Sequence, residues 1–292
     1  MNGISIVGPG RAGGAIALAL SRKNISVSSL IARDPESAGR IAREMDPSPR
    51  VFAIRELRSI NGETVILSVN DDSIKTVAES LARVDGWEGR TALHLSGSRG
   101  SELLESLKAK GANTGSLHPL VSISDPHIGS RRFQGSFFCV EGDPEAITIS
   151  RSLADSLGGT PFEIANGMKP LYHASAVVAC GHLVALLDLA FSALADCGPD
   201  KDEAKNILLP LISSTISNLK EQRTAEALTG TFARADLETF EKHIDAIHES
   251  GSDEFREIYL QLGKHSVELA KDQGADPEAI EAFRRRIEDL LR

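Results

Sequence analysis

Apolar residues follow two regimes along the chain. Up to about residue 165 they come in short blocks closed by glycine, proline or small polar residues. These blocks predict strands at Ile4-Ser5-Ile6-Val7, 26–31, 51–54, 64–69, 91–95, 113–117, 137–141 and 160–164. Between them, helical spacing shows in Gly14 to Leu20, in Ile74, Val77 and Leu81, and from Asp143 to Leu157. The block at 64–69 is almost wholly apolar, as a parallel strand covered on both faces should be. Strands alternating with helices predict an α/β domain with a mostly parallel sheet.

Beyond Lys169 the strand blocks stop. One helix is expected from 170 to about 195, and another after Gly198-Pro199-Asp200, carried by Ile207, Leu208, Leu211, Ile212, Ile216 and Leu219. Leu237, Phe240, Ile244 and Ile247, then Phe255, Ile258, Tyr259 and Leu262, then Ile280, Phe283, Ile287 and Leu290 mark three more. Asp-Pro-Glu recurs at 34–36, 143–145 and 276–278, each time as helix cap, proline in the first turn and an acid after it. With the boundary at Ala165-Asn166-Gly167, the expected organisation is residues 1–165 as an α/β domain and 166–292 as an all-helical domain.

The first strand runs into Gly8-Pro9-Gly10-Arg11-Ala12-Gly13, which opens the first helix. This is the order of a dinucleotide-binding unit. Gly8 permits the tight turn, Gly10 lets the backbone approach a pyrophosphate, and Gly13 lets helix and strand pack closely. The helix N-terminus then offers unpaired N–H groups to the phosphates. The competing reading is a glycine-rich turn that binds nothing, or another phosphate ligand. About 20 residues past the fingerprint, an acid would bind the ribose hydroxyls of NAD. Arg33 stands there instead and favours the 2′-phosphate of NADP. Asp34 competes for the ribose but has a structural use as the helix cap. Ligands of open α/β sheets lie beyond the carboxyl ends of the strands. That rule adds Ser68, Val69, Asn70, Ser96 and His118 to the candidates near cofactor or substrate.

The net charge of −9 argues against a nucleic-acid partner. Residues 1–165 hold 18 basic and 19 acidic side chains, and 166–292 hold 14 and 22, so the half expected to meet phosphates is the less acidic. Cys139, Cys180 and Cys197 have neither the spacing of a disulfide frame nor that of a metal site, and fit reduced thiols in a cytoplasmic protein. No leader pattern is read at the N-terminus. The stretch 171–194 is as long as a bilayer span, but His173, His182 and Asp188 lie in it. It is expected to be a long buried helix of a soluble protein, not a membrane anchor.

Lys169 precedes Pro170 at the start of this helix, where the dipole disfavours a cation and burial in an interdomain cleft would lower its pKa further. A lysine so tuned can donate a proton to a carbonyl or imine. His173, one turn on, shares its face, and Ala176 and Cys180 leave room beside it. The alternatives are a solvated lysine and a histidine satisfied by packing. His118 beside Pro119 can reach substrate or nicotinamide, or serve packing alone. His94 is expected buried within its strand and His182 buried among helices. The turn at Thr229-Gly230 to Arg234 is a candidate lid, with Arg234 either binding a carboxylate or lying on the surface. Arg131-Arg132 reads as a solvated loop.

Gly8 to Gly13, Val69-Asn70-Asp71-Asp72, Ser116-Leu117-His118-Pro119-Leu120, Val140-Glu141-Gly142-Asp143, Lys169-Pro170-Leu171-Tyr172-His173-Ala174 and Ala227-Leu228-Thr229-Gly230 occur in this order. Together they resemble the bacterial proteins that join a Rossmann-like domain to a domain of unknown function 2520. Their wider relatives include pyrroline-5-carboxylate reductase, ketopantoate reductase, the 3-hydroxyacid dehydrogenases and the deazaflavin-dependent NADP oxidoreductases. The resemblance implies an NADP-binding oxidoreductase, often dimeric through the helical domain, and implies no particular substrate. Lys169 resembles the lysine of the 3-hydroxyacid dehydrogenases. Thr231, Ala235 and Gly181 depart from the pattern, which has proline, glycine and asparagine there. Two function classes remain open. One is an NADP(H)-dependent reductase or dehydrogenase acting on a small carbonyl, imine or hydroxy acid. The other is a non-enzymatic NADP-responsive module whose helices meet a partner.

Overall fold

The structure, a computed structural model, describes residues 3–60, 62–165 and 167–292, with 57–59 in backbone alone. Asn166, inside the expected domain boundary, lies outside the described residues. The chain forms two compact units, Met1–Cys180 and Gly181–Arg292.

All eight strands form, within one sheet of the first unit: β1 (Ile4–Val7), β2 (Val27–Ala32), β3 (Arg50–Ala53), β4 (Thr64–Leu67), β5 (Thr91–His94), β6 (Asn113–Leu120), β7 (Phe137–Gly142) and β8 (Thr160–Glu163). Their order is β3-β2-β1-β4-β5-β6-β7-β8. Neighbours are parallel except β6 and β7. Among the helices of this unit are α1 (Arg11–Arg22), α2 (Pro35–Ala42), α3 (Asp71–Leu81), α4 (Glu105–Lys108), α5 (Pro126–Gly129) and α6 (Pro144–Ser156). Side chains of a strand alternate between faces, so one sheet feeds two cores. Ile4, Ile6 and Ile66 pack with Ile16 and Leu20 of α1 and Leu153 of α6, while Val65 and Leu67 pack with Ile74 and Leu81 of α3 and with Trp87. Being covered on both sides is what made β4 readable as an unbroken apolar run. Chain order reverses between the neighbours β1 and β4, which creates the switch-point crevice at their carboxyl ends.

Two sequence expectations change here. His118 is not at a strand end: β6 continues to Leu120 because antiparallel β7 gives it a partner, with His118 opposite Cys139 and Ser116 opposite Glu141. Asp143 makes no side-chain cap for α6. Its carboxylate is drawn to Lys108 at 2.5 Å and to the backbone N–H and hydroxyl of Thr114 at 2.9 and 3.1 Å. The other two Asp-Pro-Glu sites cap as expected, Asp34 accepting from the Glu36 N–H and Asp276 from the Ala279 N–H.

The helix expected from 170 to 195 forms as α7 (Lys169–Val177), a π-helical turn at Val178–His182 that contains Gly181, and α8 (Leu183–Ala195). It does not form as a buried helix. Lys169 is its one buried residue among those described, and Leu171, Val178 and Val184 are exposed. His182, expected in a core, is exposed as well. Apolarity alone does not specify what packs against a helix. By length and composition alone the helix is apolar enough to cross a membrane. The next helix, α9 (Lys201–Glu221), also exposes Ile207, Leu211 and Leu219.

After α10 (Thr224–Ala227) and α11 (Gly230–Ala233), the helices α12 (Leu237–Ser250), α13 (Asp253–Asp272) and α14 (Pro277–Leu290) build a separate core from Phe240, Ile244, Leu260, Val267, Phe283 and Ile287. The turn at 229–234 is anchored in that core by Phe232, whose ring lies 5.2 Å from that of Phe283. Arg234 is exposed. Ala235 takes φ 49°, in the left-handed region. That conformation favours glycine, so Ala235 is held there at some cost in strain.

Candidate functional site

Each glycine of the first loop has a distinct physical reason. Gly8 has φ +87°, and a Cβ there would stand 2.3 Å from the Ser68 carbonyl oxygen. A Cβ on Gly13 would stand 2.5 Å from the Gly8 carbonyl oxygen, so α1 approaches the loop closely only with glycine. Gly10 is different: a Cβ there meets nothing within 4 Å, and the bare backbone faces open space. The α1 N-terminus has no side-chain cap and no acid in its first turn. Its orphan N–H groups therefore remain available to an anion. Arg11 is exposed at the first helical position, and Pro9 and Ala12 complete the turn.

Ser68 and Val69 lie half-buried across the switch point, and Asn70 is exposed at the start of α3. Arg33 follows β2 directly and is exposed, with no hydrogen-bond or ion-pair partner given by the described residues. Because Asp34 caps α2, the carboxylate beside Arg33 is already engaged.

A second cluster lies further along the sheet. Register places His94, Ser116, His118, Cys139 and Glu141 on one face of β5, β6 and β7. The first turns of α7 meet this row. Lys169, only 4% exposed, donates from Nζ to the Ser96 carbonyl at 2.8 Å. Tyr172 Oη lies 2.6 Å from His118 Nδ1. The His173 and His118 rings meet edge to face, centroids 6.0 Å apart. Gly97 lies beneath both: a Cβ there would be 2.5 Å from His173 Cδ2 and 2.8 Å from His118 Nε2. Thus Lys169, His118 and His173 come together, beside Ser96.

Ser96 itself is less free than a ligand-binding serine. Its Oγ donates to Asp71 Oδ2 at 2.8 Å and accepts from the Ser98 and Arg99 N–H groups. Ser98 Oγ also donates to Asp71 at 2.8 Å. His94, buried as expected, holds the same loop from below: its Nδ1 accepts from the Ser96 N–H and its Nε2 donates to the Gly100 carbonyl.

Burial sets the protonation states. Lys169 is lowered below the ordinary lysine value chiefly by burial, against the opposing influence of Cys139, Glu141 and Asp71. His118 is pushed down to about 4 by burial, then by the charges of Lys169 and His173. His94 is also pushed down to about 4, by burial and then Lys169. Burial raises Tyr172. Asp71 is raised by burial, but the hydroxyls of Ser96 and Ser98 outweigh this and hold it below the ordinary carboxylate value. Near pH 7 both Tyr172 and His118 are neutral and share one hydrogen bond between the phenol oxygen and His118 Nδ1. Burial thus favours the neutral form of Lys169.

Tyr172, Gly97, Asp71, Cys139 and Glu141 were not singled out from sequence as site residues. The i, i+3 spacing of Lys169 and Tyr172 was a usable signal; the other four needed the β6–β7 register and the path of the 96–100 loop.

The fold and the glycine turn define a Rossmann-like α/β unit followed by helices. Residues 2–119 match the family model of the Rossmann-like domain, and 136–266 match that of a domain of unknown function, DUF2520. The chain thus joins a Rossmann-like domain to a DUF2520 domain, the pairing its motifs resembled. No curated protein sequence is significantly similar to the chain. Among solved structures, protein TM1727 from Thermotoga maritima is 24% identical, with TM-score 0.73, over 92% of this chain and 99% of that one. BF3122 from Bacteroides fragilis, a proposed NADP oxidoreductase, is 20% identical, with TM-score 0.71, over 91% and 97%. A Plasmodium falciparum pyrroline carboxylate reductase with NADP bound is 11% identical, with TM-score 0.57, over 97% of each chain. At these identities the likeness is one of fold.

Proposed function

We propose that the protein is an NADP(H)-dependent oxidoreductase that moves a hydride to or from a small carbonyl, imine or hydroxy-acid substrate. The observation that carries this reading is the buried Lys169 amine, held beside His118 on the sheet whose switch point bears the glycine loop. The open backbone at Gly10 and the uncapped start of α1 fit a pyrophosphate, and unpaired Arg33 fits a 2′-phosphate. BF3122 and the NADP-bound reductase, which share the fold, support the same cofactor.

When bound, the dinucleotide supplies the hydride chemistry. In reduction, Lys169 delivers a proton to the substrate oxygen or nitrogen and becomes the neutral amine that burial already favours. Tyr172 fixes the His118 ring, and His173 orients substrate beside it. A broad carbonyl, imine and alcohol screen, read by NADPH absorbance, tests the activity. NADPH binding without turnover anywhere in the screen would leave a non-enzymatic module.

The cofactor choice is tested separately. Arg33→Ala weakens NADPH binding by roughly 10- to 100-fold, the range of one or two charge-assisted hydrogen bonds, and leaves NADH binding nearly unchanged. Tighter NADH than NADPH binding by the unaltered protein would contradict the NADP reading.

The exposed apolar residues of α8 and α9 fit a second copy of this chain, giving a homodimer through the helical region. Sedimentation at micromolar concentration is expected to give the dimer mass; a monomer would count against it.

A further inference from the structure

Among the described residues the Lys169 amine makes one hydrogen bond, from Nζ to the Ser96 carbonyl at 2.8 Å. The place of that carbonyl therefore decides where the amine stands. Two side chains fix it. His94 holds the Ser96 backbone, its Nδ1 accepting from the Ser96 N–H at 3.2 Å. Asp71 holds the Ser96 side chain: its Oδ2 accepts from the Ser96 and Ser98 hydroxyls, each at 2.8 Å. So oriented, Ser96 Oγ accepts in turn from the Ser98 and Arg99 N–H groups at 3.2 and 3.1 Å. Asp71 opens α3, where an acid ordinarily serves the helix dipole, a use that its exposed neighbour Asp72 also fills. Among the described residues, however, both hydrogen bonds of the Asp71 carboxylate go to the loop after β5. The titratable groups around the amine are Asp71 from α3, Cys139 and Glu141 from β7, Glu102 from the turn at Ser101–Leu104, and His94 and His118 from β5 and β6, with His173 on its own helix. Near pH 7 His94 and His118 are neutral and burial keeps Cys139 a thiol. Burial raises Asp71, but the two hydroxyls outweigh it and the group stays a carboxylate. Of the negative groups, Asp71 is joined to Lys169 through a single residue, Ser96.

We propose that Asp71 is a positioning residue for Lys169, fixing the Ser96 carbonyl that receives the amine and supplying a negative charge that opposes loss of its proton. The inference rests on the oxidoreductase reading for the use of that proton, and it assigns the residue that keeps the proton available. Reduction needs Lys169 protonated, while burial favours its neutral form. A carboxylate one residue away stabilises the ammonium and extends upward the pH range over which the acid is charged. A neutral acceptor in its place satisfies the same two hydroxyls and keeps the loop, but gives the amine no such support. Geometry and charge are thus separable at this one side chain.

The test follows Lys169 directly, by NMR pH titration of the full-length protein carrying isotopically labelled lysine, the Lys169 signal being the one missing from Lys169→Met. Asp71→Asn, whose amide oxygen can accept both hydroxyls, is expected to lower the Lys169 midpoint by about 0.5 pH unit or more. Asp72→Asn removes the same charge from the same helix start and is expected to move the midpoint by less than about 0.2 unit, because solvent screens an exposed carboxylate. Asp71→Ala removes the acceptor as well, and is expected to speed hydrogen exchange of the Ser98 and Arg99 amides by about tenfold or more, since Ser96 Oγ loses its anchor. An unmoved midpoint in Asp71→Asn overturns the proposal, as does an equal shift in Asp72→Asn or unchanged exchange in Asp71→Ala. The titration needs no substrate, and NADPH binding to the same samples is read by fluorescence. Failure of the titration with NADPH binding intact defeats the Asp71 assignment alone. The expected shifts in a protein that binds no NADPH defeat the dinucleotide reading instead.

Discussion

Replacing Lys169 with methionine lowers kcat/KM of the NADPH-coupled reaction by roughly 100- to 10,000-fold, the usual worth of a positioned acid, and leaves NADPH affinity within about twofold. The reason is spatial. Lys169 enters the site through Ser96 and the His118 side of the sheet, whereas the glycine loop sits at the β1–β4 switch point. The pH profile adds a second reading. Because burial lowers Lys169, the alkaline limb of reduction lies below the ordinary lysine value of 10.5, and activity falls as pH rises through it. The methionine variant loses that limb. Steady-state kinetics from pH 6 to 10 check both, with circular dichroism to confirm folding; full turnover in the variant removes Lys169 from the chemistry.

Acid unfolding provides the second large effect. His94 lies near 4 in the folded chain, against an ordinary value of 6.5. Between those values the unfolded chain binds a proton that the folded chain refuses, so stability is present above about pH 6.5 and is lost as pH falls toward 4. The loss from His94 alone reaches up to about 3 kcal/mol. Urea unfolding at pH 7 and at pH 4.5 measures it. His94→Gln, which cannot titrate, is less stable at pH 7 because it loses part of the bonding to Ser96 and Gly100, but its stability declines less with acid. A decline as steep as that of the unaltered protein would show that His94 is not the titrating group.

The physical origin of these two effects explains which features were legible in the sequence. β4 and β1 could be read because two-sided burial demands an unbroken apolar run, and that demand is local. The glycine loop could be read because Gly8 and Gly13 answer to atoms within their own turn and the adjacent Ser68. Asp34 could be read as a cap from its neighbours Pro35 and Glu36. The row from His94 through Ser116 to Glu141 could not, since it exists only once β7 turns antiparallel and fixes its register. Gly97 is the same kind of case. Its small size matters because His118 and His173, distant in sequence, converge on it. The helix from Lys169 to Ala195 misled in another way: its apolarity was plain, but hydrophobic periodicity does not say which surface will cover it. Asp143 reads as a cap by its neighbours, yet Lys108 and Thr114 offer its carboxylate more partners than the helix end does.

The central claim is that the glycine loop and the Lys169 cluster belong to one NADP-dependent site. A crystal structure of the protein grown with NADP⁺ tests it most directly. The account predicts pyrophosphate density on the N–H groups at the start of α1 beside Gly10, the 2′-phosphate against Arg33, and the nicotinamide end directed toward Ser96 and the Lys169–His118 cluster. A dinucleotide bound elsewhere, or one whose nicotinamide end lies away from Lys169, would contradict it.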